Sequence, residues 1–391
     1  MIYNFDKVNK REGTLSIKWD AKKMFNIDEQ AIPLWVADTD FCTVKEVNNA
    51  IKKRARHPIY GYSFVDDCFY DSIIDWYRRK KDFLIEKDDI IFIPGVVTGL
   101  HISILALTKP GDSIIVQTPV YYPFMNAVAY TGRNLLINEL KYEDGRYLID
   151  FENLEKLMLE KPKMIFFSSP HNPVGRVWDK DELNRLAELC LENNVYLVSD
   201  EIHGDLIISD KKHICISTIS KDIKRLLITL SAPSKTFNIA GFSTSYAIIE
   251  DEAIRERFNR QILAQNANIY NIFGLIALEK AYRYGDEYLE QLLKYLSKNF
   301  SFLVDRFENM AKIKVVQCEG TYLAWLDCRN LGLDDDMLPD FFENDAKLWL
   351  SEGKIYGKGG EGFMRLNFGT SRKILSIALD RLQIAYDKKF K

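Results

Sequence analysis

Between residues 90 and 230 the chain alternates short apolar, β-branched runs with helical patterns, and this alternation narrows the folds open to it more than any other feature. Ile90-Ile91-Phe92-Ile93 reads as a strand, Val96 to Leu107 as a helix closed by Lys109-Pro110-Gly111-Asp112, and Ser113-Ile114-Ile115-Val116 as the next strand. Met164-Ile165-Phe166-Phe167 is another strand. Asp181 to Asn193 is helical and leads into the strand Val195-Tyr196-Leu197-Val198, and Arg225 to Leu230 reads as one more. Such alternation predicts an α/β fold with a mostly parallel sheet covered by helices on both faces. Ligands of these sheets bind beyond the carboxyl ends of the strands. Gly95, Asn172, Asp200 and Lys235 each fall at or just after the end of a predicted strand, so several strand ends converge on one site.

The pattern changes after about residue 285. Glu287 to Met310 has the period of one long amphipathic helix, Lys314-Val315-Val316 and Tyr322 to Leu326 read as strands, and Met337 to Ser351 as a helix. This is a second, smaller α+β unit, and 391 residues are enough for two or three core-forming units. The Gly357-Lys358-Gly359-Gly360-Glu361-Gly362 loop lacks the G-x-x-x-x-G-K-[ST] spacing of a phosphate loop and is expected to be a mobile connection.

A net charge of -3 with scattered Lys and Arg gives no footprint for nucleic acid or an anionic membrane. Ile90 to Thr108 contains no Asp, Glu, Lys or Arg, but Pro94, Gly95, Gly99, His101 and Ser103 interrupt it. A strand, a turn and a buried helix account for it better than a bilayer span. The N-terminus has no apolar signal region, and a cytoplasmic location is expected. The six cysteines form no C-x-x-C pair, so neither a disulfide framework nor a zinc site is expected.

The chemistry concentrates around Lys235, in Ser231-Ala232-Pro233-Ser234-Lys235-Thr236-Phe237-Asn238. Upstream lie Ser199-Asp200-Glu201-Ile202-His203 and Ser169-Pro170-His171-Asn172-Pro173-Val174-Gly175. A lysine held between small polar residues and an apolar stretch, with an acid at a neighbouring strand end, can present its amine to an aldehyde cofactor. Pyridoxal 5'-phosphate needs such a lysine and an acid for its ring nitrogen. Gly95-Val96-Val97-Thr98 opens a predicted helix, where main-chain N–H groups can cradle a phosphate.

With these motifs the chain resembles the fold-type I pyridoxal-phosphate enzymes, the aspartate aminotransferase superfamily. More narrowly it resembles the MalY/PatB group of C–S lyases of the cystathionine β-lyase type. The resemblance runs from Phe5-Asp6 and Gly13-Thr14-Leu15-Ser16-Ile17-Lys18-Trp19-Asp20 through Leu34-Trp35-Val36-Ala37-Asp38-Thr39-Asp40-Phe41 to Gly362-Phe363-Met364-Arg365-Leu366-Asn367-Phe368. It implies a seven-stranded, mostly parallel sheet in a large domain of residues 49–287. Residues 1–48 and 288–391 would form the small domain.

The resemblance also implies roles. Lys235 would be the Schiff-base lysine and the proton shuttle, and Asp200 the partner of the pyridine nitrogen. Asn172 would donate to the cofactor's phenolic oxygen, and Tyr121 would stack on its ring. Val96, Val97, Thr98, Ser231 and Ser234 would hold the phosphate, with Tyr62 reaching it from the neighbouring subunit of a homodimer. Arg365 would grip the substrate carboxylate, helped by a main-chain group of Ala37. His203 can bond Asp200 or the phenolic oxygen, or be a satisfied structural histidine. Gly241-Phe242-Ser243 departs from the G-x-R of many aminotransferases, and Thr39 and Thr98 depart from the common residues of the lyase group. The implied activity is cleavage of β-thioether amino acids such as L-cystathionine or cystine to pyruvate, ammonia and a thiol. Transamination with the same parts is the alternative, and a regulatory binding protein that keeps the fold is a second one.

Overall fold

The computed structural model describes residues 2–391. Seven strands make the main sheet: β1 (Ile90–Ile93), β2 (Ser113–Thr118), β3 (Asn134–Glu139), β4 (Met164–Ser168), β5 (Tyr196–Asp200), β6 (Leu227–Ser231) and β7 (Ser245–Ile248). Their spatial order is β1-β7-β6-β5-β4-β2-β3, and β7 alone runs against the others. The sheet is therefore the mostly parallel one expected. Every residue of β1, β4, β6 and β7 is buried, because helices cover both faces.

The charge-free helix Val96–Leu107 packs directly on this sheet, and no described helix is long and apolar enough to cross a membrane. Its approach is close at Gly99: a Cβ there would lie 2.7 Å from Ile93 Cδ1 and 2.9 Å from Leu230 Cδ2, so those side chains would have to shift. Helix start and strand end are thereby pressed together, which places the N–H groups after Gly95 at the sheet's carboxyl edge.

A second sheet contains β8 (Lys314–Val315), β9 (Leu323–Asp327), β10 (Ser351–Glu352) and β11 (Phe363–Asn367), in the order β8-β9-β11-β10. Helices Asp286–Phe307 and Arg372–Phe390 accompany it. The expected helix from Met337 to Ser351 is not formed. It stops after Met337–Asp340 and a π turn at Phe341–Asp345. Lys347 then takes a positive φ of 55°, which no helix continues through. Leu348–Trp349 becomes a strand paired in parallel with Ile32–Pro33, and Ser351–Glu352 joins the second sheet. The glycine loop at 357–362 is a packed turn rather than a loose connection: Gly360 N–H donates to Gly357 O at 3.0 Å, and Gly359 N–H to the Glu361 carboxylate at 2.9 Å.

Candidate active site

The carboxyl ends of β1, β4, β5 and β6 border a cavity of about 240 Å³, lined by Val96, Val97, Tyr121, Asn172, Asp200, His203, Ser234 and Lys235, with Ala37 reaching in from the N-terminal loop. Asp200 is the last residue of β5 and is buried, and its Oδ1 accepts from the Ile202 N–H at 3.0 Å. Burial pushes its carboxyl up to about 7, against the opposing pull of that N–H and of Lys235. Lys235 follows β6 on a tight loop in which Phe237 N–H returns to Pro233 O at 2.9 Å. Its Nζ donates to Ala37 O at 2.8 Å, and burial lowers its pKa. His203 is held well below the usual histidine range, first by burial and then by Lys235 and Arg365, so its ring is neutral. Its buried Nδ1 has no hydrogen-bond partner.

A second cavity of about 360 Å³ shares Ala37, Tyr121 and Lys235 with the first and is lined also by Trp35, Ser351, Tyr356 and Arg365. Arg365, on β11, is 4% exposed. Its Nη1 donates to Asn172 Oδ1 at 3.0 Å, and its Nη2 to Trp35 O at 2.6 Å and Ser351 Oγ at 3.3 Å. Among the described residues no carboxylate pairs with it, and its Nε is left without a partner. A buried guanidinium in this state is prepared for an anion. Because Asn172 spends its oxygen on Arg365, its amide N–H₂ remains for the first cavity.

Three expected residues lie elsewhere. Ser231 ends β6 with its side chain away from the cavity: its Oγ donates to Glu201 O at 3.4 Å, in a tight polar pocket with Lys81, Asp205 and His213. The strand's alternation turns Ser231 to the other side, away from the groups that could hold a phosphate in this cavity. Thr98 lies outside the cavity lining, with its Oγ facing Gly95. Tyr62 is fully exposed and touches neither cavity.

Several residues escaped the sequence reading. Ser168, Ser243, Thr244 and Ser245 also line the first cavity. Only Ser243 carried a signal, by standing where G-x-R is common. The N-terminal loop is fastened over the site by two asparagines. Asn238 Nδ2 donates to Thr39 O at 2.8 Å and Phe41 O at 2.9 Å, and Asn367 Nδ2 to Val36 O and Asp38 O, both at 2.6 Å. Tyr322 adds a bond from its hydroxyl to Ala37 O at 3.0 Å.

Known proteins share this architecture across nearly the whole chain. Cystathionine beta-lyase PatB of Bacillus subtilis is 40% identical over 98% of this chain and 99% of its own length. Protein MalY of Escherichia coli is 30% identical over 96% of each. Among solved structures, a PLP-bound putative aminotransferase from Clostridium difficile 630 superposes with a TM-score of 0.96 at 38% identity, covering 98% of this chain and 100% of that one. Cystalysin from Treponema denticola, which contains a pyridoxal 5'-phosphate cofactor, gives 0.96 at 37% identity over 99% and 100%. The profile of the family described as aminotransferase class I and II matches residues 31–382, and the chain belongs to that family.

Proposed function

We propose that this protein is a pyridoxal-phosphate-dependent C–S β-lyase that releases a thiol, pyruvate and ammonia from L-amino acids bearing a β-thioether. The observation that carries the reading is the joining of two cavities at Lys235: one holds the amine with a buried carboxylate, and the other a buried guanidinium with no acid. The first set fits pyridoxal phosphate. Lys235 Nζ suits its aldehyde, Asp200 its ring nitrogen, and the unpartnered His203 Nδ1 and the Asn172 amide its phenolic oxygen. The N–H groups of Val96 and Val97, with the hydroxyls of Ser234 and Ser243, suit its phosphate.

When bound, the cofactor supplies an electron sink for the pair left at the substrate Cα. Arg365 binds the α-carboxylate through a planar fork whose angle is set by Trp35 O and Asn172 Oδ1, with a main-chain group of Ala37 alongside. This orientation holds the Cα–H bond toward Lys235. Burial lowers the pKa of Lys235, so more of its amine is free to take the Cα proton. Asp200 holds the proton on the ring nitrogen, and Tyr121 covers the ring face. The β C–S bond then breaks, the thiolate departs, and hydrolysis of the remaining fragment gives pyruvate and ammonia.

The names of PatB and of a cystathionine beta-lyase of Corynebacterium glutamicum support elimination over transfer, while a neighbour described as a putative aminotransferase keeps transamination as the second reading. Incubation with L-cystathionine or a simpler S-substituted L-cysteine, without any keto acid, should yield pyruvate. Turnover that requires an added keto acid would establish transamination instead.

We further propose a cytoplasmic homodimer with shared sites. Residues 49–287 would form the large domain, and 1–48 with 288–391 the small one. All strands of the main sheet lie between residues 90 and 248, and those of the second sheet between 314 and 367, which supports this division.

A further inference from the structure

We infer that the leaving thiol is uncharged and apolar or aromatic, so that S-benzyl- or S-aryl-type cysteine conjugates are better substrates than thioethers that end in a second amino-acid head. The inference rests on the lyase reading above and concerns the cavity of about 360 Å³ that must receive the β-substituent. Its wall is built from Trp35, Tyr121, Tyr122, Ile355 and Tyr356. Among the described residues, the charged groups on it are Lys235 and Arg365, and the reaction already commits both, one to the Cα proton and one to the α-carboxylate.

The wall is fixed in place by its own packing. Trp35 stacks on Trp349 with ring centroids 4.2 Å apart, and Phe25 closes its other edge at 5.4 Å. The Tyr356 ring lies 5.1 Å from the Arg365 guanidinium carbon. The apolar character continues outward to the rim, where Tyr122 is 41% and Ile355 40% exposed. The nearest cation by sequence, Lys354, does not line the cavity and is engaged at 2.7 Å by Asp336 and at 3.3 Å by Glu352.

Against this chain's own wall, a distal carboxylate and ammonium would leave water and meet no partner, which disfavours them. A phenyl or alkyl group would instead replace water against aromatic faces.

The test uses the holoenzyme. The kcat/KM for pyruvate release from S-benzyl-L-cysteine should exceed that from L-cystathionine by about tenfold or more, the scale on which such pockets discriminate. Equal values or the reverse order, with pyruvate still formed, would overturn this inference and leave the lyase reading intact. Ile355→Arg should narrow the ratio by favouring cystathionine, and a ratio that does not move argues against the wall.

Binding is read separately with two amino acids that cannot eliminate, L-homophenylalanine and L-2-aminoadipate, through cofactor absorption and tryptophan fluorescence. Tighter binding of L-homophenylalanine is expected whether or not either thioether is cleaved. If it binds more tightly and no thioether yields pyruvate, the lyase reading alone fails. If L-2-aminoadipate binds as tightly or better, the apolar assignment fails.

Discussion

Asp200 is a carboxyl whose ordinary pKa of 3.8 burial raises to about 7, and this has a consequence for the cofactor-free protein. A raised acid binds its proton more tightly folded than unfolded, so its contribution is fully present below the unfolded value and is lost as pH climbs through the folded one. From pH 4 to above 7 that loss should reach roughly 4 kcal/mol. Asp200→Asn mimics the neutral acid. The cofactor-free variant should therefore match the parent near pH 4 and become the more stable of the two as pH rises, as read by denaturant midpoints across that range. Parallel curves for the two proteins would mean that Asp200 is not desolvated as described. Lys235, Asp200 and Asn172 were legible in sequence because each stands where an apolar run ends, a local signal. Asn238 and Asn367 were not, since their work is done on carbonyls 197 to 199 and 329 to 331 residues away, and no local pattern encodes such a bond.

At the scale of elements, a buried charge cluster joins the second sheet to the first beside their shared apolar core. Arg176, after β4, is fully buried; it donates to Glu319 Oε2 at 2.6 Å and forks onto Glu182 of the helix Lys180–Asn193 at 2.6 and 2.7 Å. Glu319, just before β9, also accepts the Val177 N–H at 2.8 Å. Removing one member leaves charge and N–H groups buried without their acceptor, so Glu319→Ala should cost about 3 kcal/mol. Glu155→Ala, which breaks the half-exposed pair with Arg185, should change stability little. Equal denaturant midpoints for the two variants would contradict this. Five strands of the main sheet were readable because strands buried on both faces are apolar throughout, whereas the parallel edge strand Asn134–Glu139 was missed because it is only partly buried and carries polar residues at both ends. Ser245–Ile248 was missed, as it opens on a serine and sits between antiparallel neighbours. The helix expected across 337–351 failed because its apolar end is used instead to pair with the distant segment Ile32–Pro33.

For the whole molecule, the segment from Pro58 to Phe64 has no regular structure and leaves Ile59, Tyr60, Tyr62 and Phe64 exposed. A run of apolar side chains on a surface marks an interface, which agrees with a dimer in which Tyr62 serves the neighbouring site. Mixing Lys235→Ala chains with Tyr62→Phe chains should then give heterodimers with one intact site and activity above the sum of the parents. No gain in verified heterodimers would place Tyr62 within its own subunit or outside the reaction. The central claim is that the amine of Lys235 carries the cofactor, and chemical labelling tests it most directly. The purified holoprotein is reduced with borohydride, digested and analysed by peptide mass spectrometry. The account requires the pyridoxyl group on the peptide that contains Lys235 and on no other; a pyridoxyl group on a different lysine, with Lys235 unmodified, would contradict it.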